Sequence, residues 1–401
     1  MSEAGKTGGS VPAAGCGRAS GGGARGRNGE IDLMRVAMAV VIMVFHARFF
    51  WGKAKIPPFA NGVYAVDFFL LLSGLLMAKS IASGRAGDTF AFLKRKLSSF
   101  YLVFVSSALI AGVAFCMSRR LSAGESAVRF LSDVFEFLLV GHGGLQPFTG
   151  FNAVSWYLSA MMLAMAVLHP VASRFRQWFF PVGSVLVAAC CYGVLLQNCG
   201  GVTGGRNWTG FCTYRMVRAV ASISLGVFVF EMADRTRNSV RATKTGCLFF
   251  NLLKVLAAVM FFAILFHPRH GVIARLGKMD GFVCMLFFAL YLYLSFSGLA
   301  EFGWLRRIPL GWCGPASLYI FLNHYGVLHV LNRNFICRNG LPARELFALL
   351  VLGTTVSCLL CAAMVALFRR IGRAVSPLLL VRGGGDAESR NVARRETGEA
   401  Q

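Results

Sequence analysis

The stretch WFFPVGSVLVAACCYGVLL, from Trp178 to Leu196, contains no charged residue. A second uncharged stretch, FVCMLFFALYLYLSFSGL, extends from Phe282 to Leu299. A helix needs roughly 18–20 apolar residues to cross a hydrocarbon layer that is about 30 Å thick. Both stretches therefore predict membrane-spanning helices.

The whole chain has the same apolar character. Of its 401 residues 56% are hydrophobic and 14% are charged, whereas about a quarter are charged in an average soluble domain. Apolar length predicts an all-α, polytopic membrane protein with about ten transmembrane helices. The approximate limits of these spans are 31–52, 60–83, 98–118, 152–174, 179–198, 214–233, 246–267, 279–299, 308–331 and 345–368.

Residues 126–141 are too short to span, and Asp133 and Glu136 lie between their apolar side chains. This pattern predicts one short interfacial or re-entrant helix. Residues 30–370 are interpreted as a single membrane domain. Residues 1–29 lack the apolar core of a signal peptide and predict a disordered cytoplasmic tail. Residues 371–401 predict a second cytoplasmic tail, disordered after about residue 383.

The formal net charge of the chain is +24. The basic residues lie between apolar runs, which is typical of loops on an anionic bilayer and argues against nucleic acid as a partner. Loops on the side of the two tails carry more Lys and Arg, which predicts that both termini are cytoplasmic. The twelve cysteines lack the spacing of a zinc site, so no metal is predicted. Cys199 and Cys212 flank a loop placed outside, where they form either a disulfide or two free thiols.

The first predicted helix reads IDLMRVAMAVVIMVFHARFF, from Ile31 to Phe50. Asp32 and Arg35 are three residues apart and share a face. His46 follows Arg35 after eleven residues, close to three full turns, so the two project in nearly the same direction about 16 Å apart. Imidazole is the usual general base for a hydroxyl group near neutral pH. Spacing alone leaves open whether His46 is such a base or an inert interfacial residue.

The second predicted helix contains GVYAVDFFLLLSGLLMAKS, from Gly62 to Ser80. Ser73 and Gly74 lie in its middle, where small residues allow neighbouring helices to approach closely. Asp67 either caps this helix or takes part in catalysis. On the predicted cytoplasmic side, Lys94, Arg95 and Lys96 either bind phosphate groups or only fix the topology.

These segments, in this order, resemble the acyltransferase-3 family of integral-membrane O-acyltransferases, of the type that O-acetylates polysaccharide or lipopolysaccharide. The first-helix pattern of that family is similar to Asp32, Arg35 and His46. Its second-helix signature is similar to Gly62, Val66, Asp67, Phe68, Phe69, Ser73 and Gly74. A Trp-aromatic-Leu-Ser pattern begins at Trp156, and a Gly…Ser-Leu-Tyr…His segment ends at His324. The resemblance covers about residues 30–370.

The resemblance implies that an acyl-CoA, by default acetyl-CoA, is the co-substrate at the cytoplasmic face. No bound cofactor is expected. It implies a carbohydrate or glycolipid as the acceptor of the acyl group and the bacterial inner membrane as the location. His46 is then the catalytic residue, with Arg35 as its basic partner. The residues expected to bind substrate are Asp32, Lys94, Arg95, Lys96, Trp156 and His324.

The chain departs from the family pattern after the second helix. The family has Arg-x-x-Arg followed by Pro, whereas Arg95 is followed here by Ser98 and by Tyr101 at the proline position. Lys94 and Lys96 supply charge there but not the bidentate geometry of arginine. The main alternative is a transporter or flippase for a polar lipid or glycan precursor, since a cationic cavity would serve that function too. The helix-1 spacing together with the Phe-Phe…Ser-Gly motif favours the acyltransferase.

Overall fold

The computed structural model describes residues 28–48, 59–141, 150–203, 209–240, 243–266, 279–305, 308–331 and 341–396, with side chains up to 374. Residues 1–27 of the predicted N-terminal tail lie outside the described residues. Within the described part the chain is helical and contains no strand. The helices are α1 (Gly29–His46), α2 (Ala65–Ala82), α3 (Thr89–Ser98), α4 (Tyr101–Arg119), α5 (Ala123–Ser132), α6 (Val134–Phe137), α7 (Trp156–Arg174), α8 (Arg176–Trp178), α9 (Ser184–Cys199), α10 (Tyr214–Ser239), α11 (Lys244–Phe266), α12 (Asp280–Ser297), α13 (Cys313–Leu331) and α14 (Ala343–Glu396).

Each of the ten predicted spans coincides with one long helix. Among the described residues, eight helices are long and apolar enough to cross a membrane. The two long helices outside this set are α1 and α13. They carry polar and ionisable side chains, namely Glu30, Asp32, Arg35 and His46 in α1 and Asn323, His324 and His329 in α13. The chain is therefore an all-α polytopic membrane protein in which the two long helices outside this set, α1 and α13, carry ionisable groups of the candidate site.

The last helix, α14, continues to Glu396. The disorder that the sequence predicts after about residue 383 stays a prediction.

Helix α1 is fixed at its start. The side chain of Asn28 accepts a hydrogen bond from the backbone N–H of Ile31 and caps the helix start. Glu30 accepts hydrogen bonds from Lys254 Nζ at 2.9 Å and from Ser295 Oγ at 3.1 Å. These contacts join α1 to α11 and α12. We call this side of the bundle the Arg35 end, and the opposite side, where α1 finishes, the His46 end.

Helices α2 and α10 approach each other through a reciprocal pair of glycines. A Cβ atom on Gly74 would lie 2.0 Å from the Ile223 carbonyl oxygen, and one on Gly226 would lie 2.0 Å from the Leu71 carbonyl oxygen. No larger residue fits at either position without separating the helices. Gly74 therefore has the packing function that the sequence predicts for it.

The predicted short helix is broken at Asp133 into α5 and α6. Phe130 packs where a Cβ on Gly112 would lie, in the middle of α4, and the Phe137 carbonyl accepts from Tyr101 Oη at 3.1 Å. The segment thus passes alongside α4 and is re-entrant.

This segment buries its acidic side chains and exposes its apolar ones, the reverse of an amphipathic helix on a soluble domain. Asp133 and Glu136 are buried, whereas Val128 and Leu131 are exposed by 70% and 78%. Exposed apolar side chains beside buried acids suit a segment that faces lipid on its outer side.

Candidate active site

The packing of α1 against α13 brings two histidines together. His46 Nδ1 lies 2.9 Å from His324 Nε2, and the two rings are nearly parallel with centroids 5.2 Å apart. The ring of Tyr325 meets the ring of His46 edge-on at 5.6 Å. His324 is fully buried, whereas His46 is partly exposed. His46 is therefore the member of the pair that a substrate can reach.

Hydrogen bonding fixes which nitrogen of each neutral ring carries the proton. His324 Nδ1 lies 3.1 Å from the Ile320 carbonyl oxygen, which can only accept. The Nδ1 atom of His324 thus carries the hydrogen, and its Nε2 atom is left with a lone pair. His46 Nδ1 must then donate to His324 Nε2. This arrangement leaves the lone pair of His46 on Nε2, the atom that can take a proton from a substrate.

Aromatic rings extend from this histidine pair towards the centre of the bundle. The ring centroid of His324 lies 6.3 Å from that of Phe321. The ring of Phe321 lies 5.5 Å from Tyr157 and 6.0 Å from Phe69. An electrostatic interaction links Tyr157 to Arg35. A line of aromatic rings therefore extends from the histidines to Tyr157, on which the charge of Arg35 acts.

Arg35 has a basic neighbour on α3. Its Nη1 atom donates to Asp32 Oδ1 at 3.2 Å. Burial, and then the charge of Arg35, lower the pKa of Lys96 to about 8. The charges of Arg35 and Lys96 thus interact at the Arg35 end, where the described contacts of Arg35 include one carboxylate, that of Asp32. Such an arrangement attracts a phosphate group.

The model of the acyltransferase-3 domain matches residues 28–365, which include both ends of α1 and the His324 segment. The chain belongs to the acyltransferase-3 family. This membership supports membrane O-acyl transfer as the general activity and argues against the transporter alternative. Comparison with curated proteins and with solved structures gave no match.

The three basic residues on α3 of this acyltransferase-3 protein occupy different environments. Lys94 and Arg95 are exposed, and Arg95 donates to the backbone carbonyl oxygens of Arg85 and Ala86. Only Lys96 interacts with Arg35 in the described contacts. The guanidinium of Arg95 thus holds the loop before α3, and its predicted role in substrate binding stays a prediction.

Asp67 of the second-helix motif forms a buried ion pair with α10. Arg218 Nε and Nη2 donate to its two carboxylate oxygens at 2.9 and 2.5 Å. Ser222 Oγ donates to Asp67 Oδ1 at 2.9 Å and lies 3.0 Å from Tyr192 Oη. Arg218 also donates to the Val63 carbonyl oxygen at 2.8 Å. The described contacts assign this carboxylate to joining α2 and α10, and they contain no side-chain cap of α2.

The other members of the motif line or support the aromatic path. Phe68 packs edge-on to Phe288 of α12 at 5.6 Å, while Phe69 faces Tyr157 at 6.1 Å. Ser73 Oγ donates to Met161 Sδ at 3.4 Å. Phe69 and Ser73 thus both interact with Tyr157 of this line of rings.

Trp156 starts α7 and covers two arginines of α10. Its ring lies 5.0 Å from the guanidinium carbon of Arg215 and 5.5 Å from that of Arg218. Cation–π contacts of this kind hold the start of α7 against α10. A role of Trp156 in substrate binding stays a prediction.

A buried chain of polar groups supports α13, and sequence patterns do not predict it. Glu136 Oε1 accepts from the Asn152 N–H at 3.1 Å and from Ser155 Oγ at 2.8 Å. Asn152 Nδ2 in turn donates to the Leu322 carbonyl oxygen at 2.7 Å, two residues before His324. The re-entrant segment thus helps to place the helix that carries His324. Glu136 is identified by its burial in a segment whose apolar side chains are exposed. This feature is visible only in the structure.

No group of three or more metal-binding side chains occurs among the described residues. Cys199 and Cys212 are both free thiols in the structure.

Proposed function

We propose that this acyltransferase-3 protein moves an acetyl group from cytoplasmic acetyl-CoA to a hydroxyl group of a cell-surface or lipid-linked carbohydrate. The observation that carries this proposal is that the two ends of α1 hold groups with different chemistry. A phosphate-attracting pair, Arg35 and Lys96, lies at one end, and an oriented imidazole, His46, lies at the other. About 16 Å separate the two positions along the helix axis, from 1.5 Å rise per residue. The pantetheine arm of CoA is an extended chain suited to such a separation.

The proposed reaction is a direct transfer. The acceptor hydroxyl gives its proton to His46 Nε2 while its oxygen attacks the thioester carbonyl carbon. The carbon–sulfur bond then breaks, and the CoA sulfur leaves with the electron pair. The His46 imidazolium returns the proton to that sulfur, which yields free CoA and the O-acetyl product. His324 Nε2 accepts a hydrogen bond from His46 Nδ1 throughout and keeps the ring oriented.

Orientation in the membrane follows from the donor. Because acyl-CoA is made in the cytoplasm, the Arg35 end is assigned to the cytoplasmic side and both termini with it. The His46 end then faces the periplasm of a bacterial inner membrane, where the acceptor arrives.

The test uses membranes that contain the protein and acetyl-CoA labelled in its acetyl group. The label is expected to become covalently attached to a glycan or glycolipid fraction, with one free CoA released for each acetyl group transferred. Label on the carbohydrate identifies the acceptor class by mass spectrometry. Absence of both label transfer and CoA release would overturn the proposal, and so would transfer from another acyl-CoA only.

A pH-dependent donor affinity is expected from Lys96. Its pKa of about 8 means that the ammonium is present below that pH and is lost as the pH rises through it. If the charged form binds a donor phosphate, the KM for acetyl-CoA should rise about tenfold between pH 7 and pH 9, since a charge-assisted hydrogen bond is worth roughly 1.5–3 kcal/mol. Initial rates of CoA release at varied acetyl-CoA concentration measure this KM.

Lys96→Arg is the diagnostic variant, because arginine keeps its charge over this range and should give a flat profile. Lys244→Arg, at an exposed lysine that starts α11, should keep the slope of the unmodified protein. A KM that rises equally in the Lys96→Arg variant would assign the pH dependence to another group.

A further inference from the structure

A cleft of about 820 Å³ opens at the Arg35 end, away from the residues of the candidate active site. Its location follows from His169, which lies one turn before the end of α7 and contacts Thr89 of α3 at 3.0 Å. The cleft is bordered by α7, α8 and α10. Its lining includes Arg174, Phe175, Arg176, Trp178, Glu231 and Arg235.

A break in the chain brings the basic groups together. Phe175 has φ −114° and ψ 37°, which ends α7 and turns the chain into α8. Arg174 and Arg176 therefore flank the break, and Arg235 of α10 completes the lining. Arg235 Nε donates to Glu231 Oε1 at 2.6 Å, and the lining contains three guanidinium groups and one carboxylate. The cleft carries a net positive charge.

An apolar surface continues from the cleft towards the membrane. Phe175 and Trp178 are exposed by 58% and 57%. Beyond them Val182 and Leu186 are also exposed, and both lie within an apolar span. Aromatic side chains of this kind lie at the headgroup level of a bilayer, and exposed aliphatic side chains below them contact acyl chains.

We infer that this cleft binds the phosphate-bearing headgroup of an anionic phospholipid. Guanidinium groups match phosphate oxygens with paired, charge-assisted hydrogen bonds. The acyl chains of the lipid lie along the apolar surface formed by Val182 and Leu186. Free phosphate would make no contact with that surface. None of these residues belongs to the set proposed for acyl transfer, so the inference does not depend on the proposed function.

The test is native mass spectrometry of the full chain, titrated with phosphatidylglycerol or with phosphatidylcholine. Phosphatidylglycerol is expected to remain bound, and phosphatidylcholine to bind more weakly. The double variant Arg174→Gln/Arg235→Gln should weaken phosphatidylglycerol binding about thirtyfold, because each surface arginine contributes about 1 kcal/mol to anionic lipid binding. A matched control removes two exposed arginines at the end of α4, Arg119→Gln/Arg120→Gln, and should leave the affinity within about threefold.

Three outcomes would overturn the inference. Equal affinity of the unmodified protein for the two lipids would show that the negative charge of the headgroup does not contribute to binding. This measurement needs no variant. Unchanged phosphatidylglycerol affinity in the folded double variant would leave the arginines with a topological role only. Displacement of the lipid by millimolar inorganic phosphate would assign the cleft to a soluble anion instead.

Discussion

The His46→Ala variant is expected to lower the rate of acyl transfer by about a hundredfold to ten-thousandfold, the range that a positioned general base contributes. Without the imidazole, the acceptor hydroxyl has no group to take its proton as the thioester is attacked. The partner histidine does not replace it, because His324 is buried and its own Nδ1 atom is bonded to the Ile320 carbonyl oxygen. Release of CoA and labelled acetyl on the glycan fraction measure the loss.

Two further variants separate catalysis from packing. His324→Leu keeps His46 but removes the acceptor that orients it, and an intermediate loss is expected with a changed pH profile. His329→Leu alters another histidine of α13, which contacts the rings of Phe115 and Tyr325 but makes no described contact with His46. This control should retain activity within a few-fold. Normal transfer by a folded His46→Ala protein would contradict the assignment of the base.

The Asp67→Ala variant is expected to destabilise the protein by about 3–5 kcal/mol, the usual effect of removing one partner of a buried ion pair. Asp67 is 0% and Arg218 2% exposed, so the guanidinium would be left unpaired away from water. Ser222 would lose its acceptor at the same time. Thermal and denaturant-induced unfolding in detergent, followed by size-exclusion chromatography, measure the effect.

An ion pair on the same helix provides the matched control. Glu231 and Arg235 are 2.6 Å apart, but the Arg235 side chain is 61% exposed. Glu231→Ala should therefore change stability by no more than about 1 kcal/mol. The double variant Asp67→Leu/Arg218→Met should recover most of the stability, since it removes both charges and keeps apolar volume. Unfolding of Asp67→Ala at the temperature of the unmodified protein would show that the pair does not stabilise the fold.

Apolar length was sufficient to locate all ten long helices, because a span must satisfy every backbone hydrogen bond within one apolar segment. The register of Arg35 and His46 was likewise predictable, since both lie on one regular helix. The re-entrant segment was predicted to be short and amphipathic. The sequence did not predict which of its two faces is buried. In a bilayer the apolar face points outward, so the usual rule for burial is reversed.

Contacts between residues far apart in the chain could not be predicted from the sequence. His46 and His324 are 278 residues apart, and Asp67 and Arg218 are 151 residues apart. Which side chains meet depends on how the helices pack. Small residues such as Gly74 indicate that a close contact forms but not which helix makes it. For this reason Asp67 was open to capping or catalysis, although its partner lies on α10.

The hydrogen bond between His324 and the backbone of its own helix has an electrostatic consequence. Many catalytic histidines are oriented by a carboxylate, which brings a permanent negative charge. Here a neutral ring and a peptide carbonyl perform that task, and no carboxylate occurs among the described contacts of the pair. Between turnovers the pair can thus be uncharged, and placing it in a low-dielectric interior carries no ionic desolvation penalty. Charge would arise only while the proton is in transit, and it would vanish when the thiol leaves.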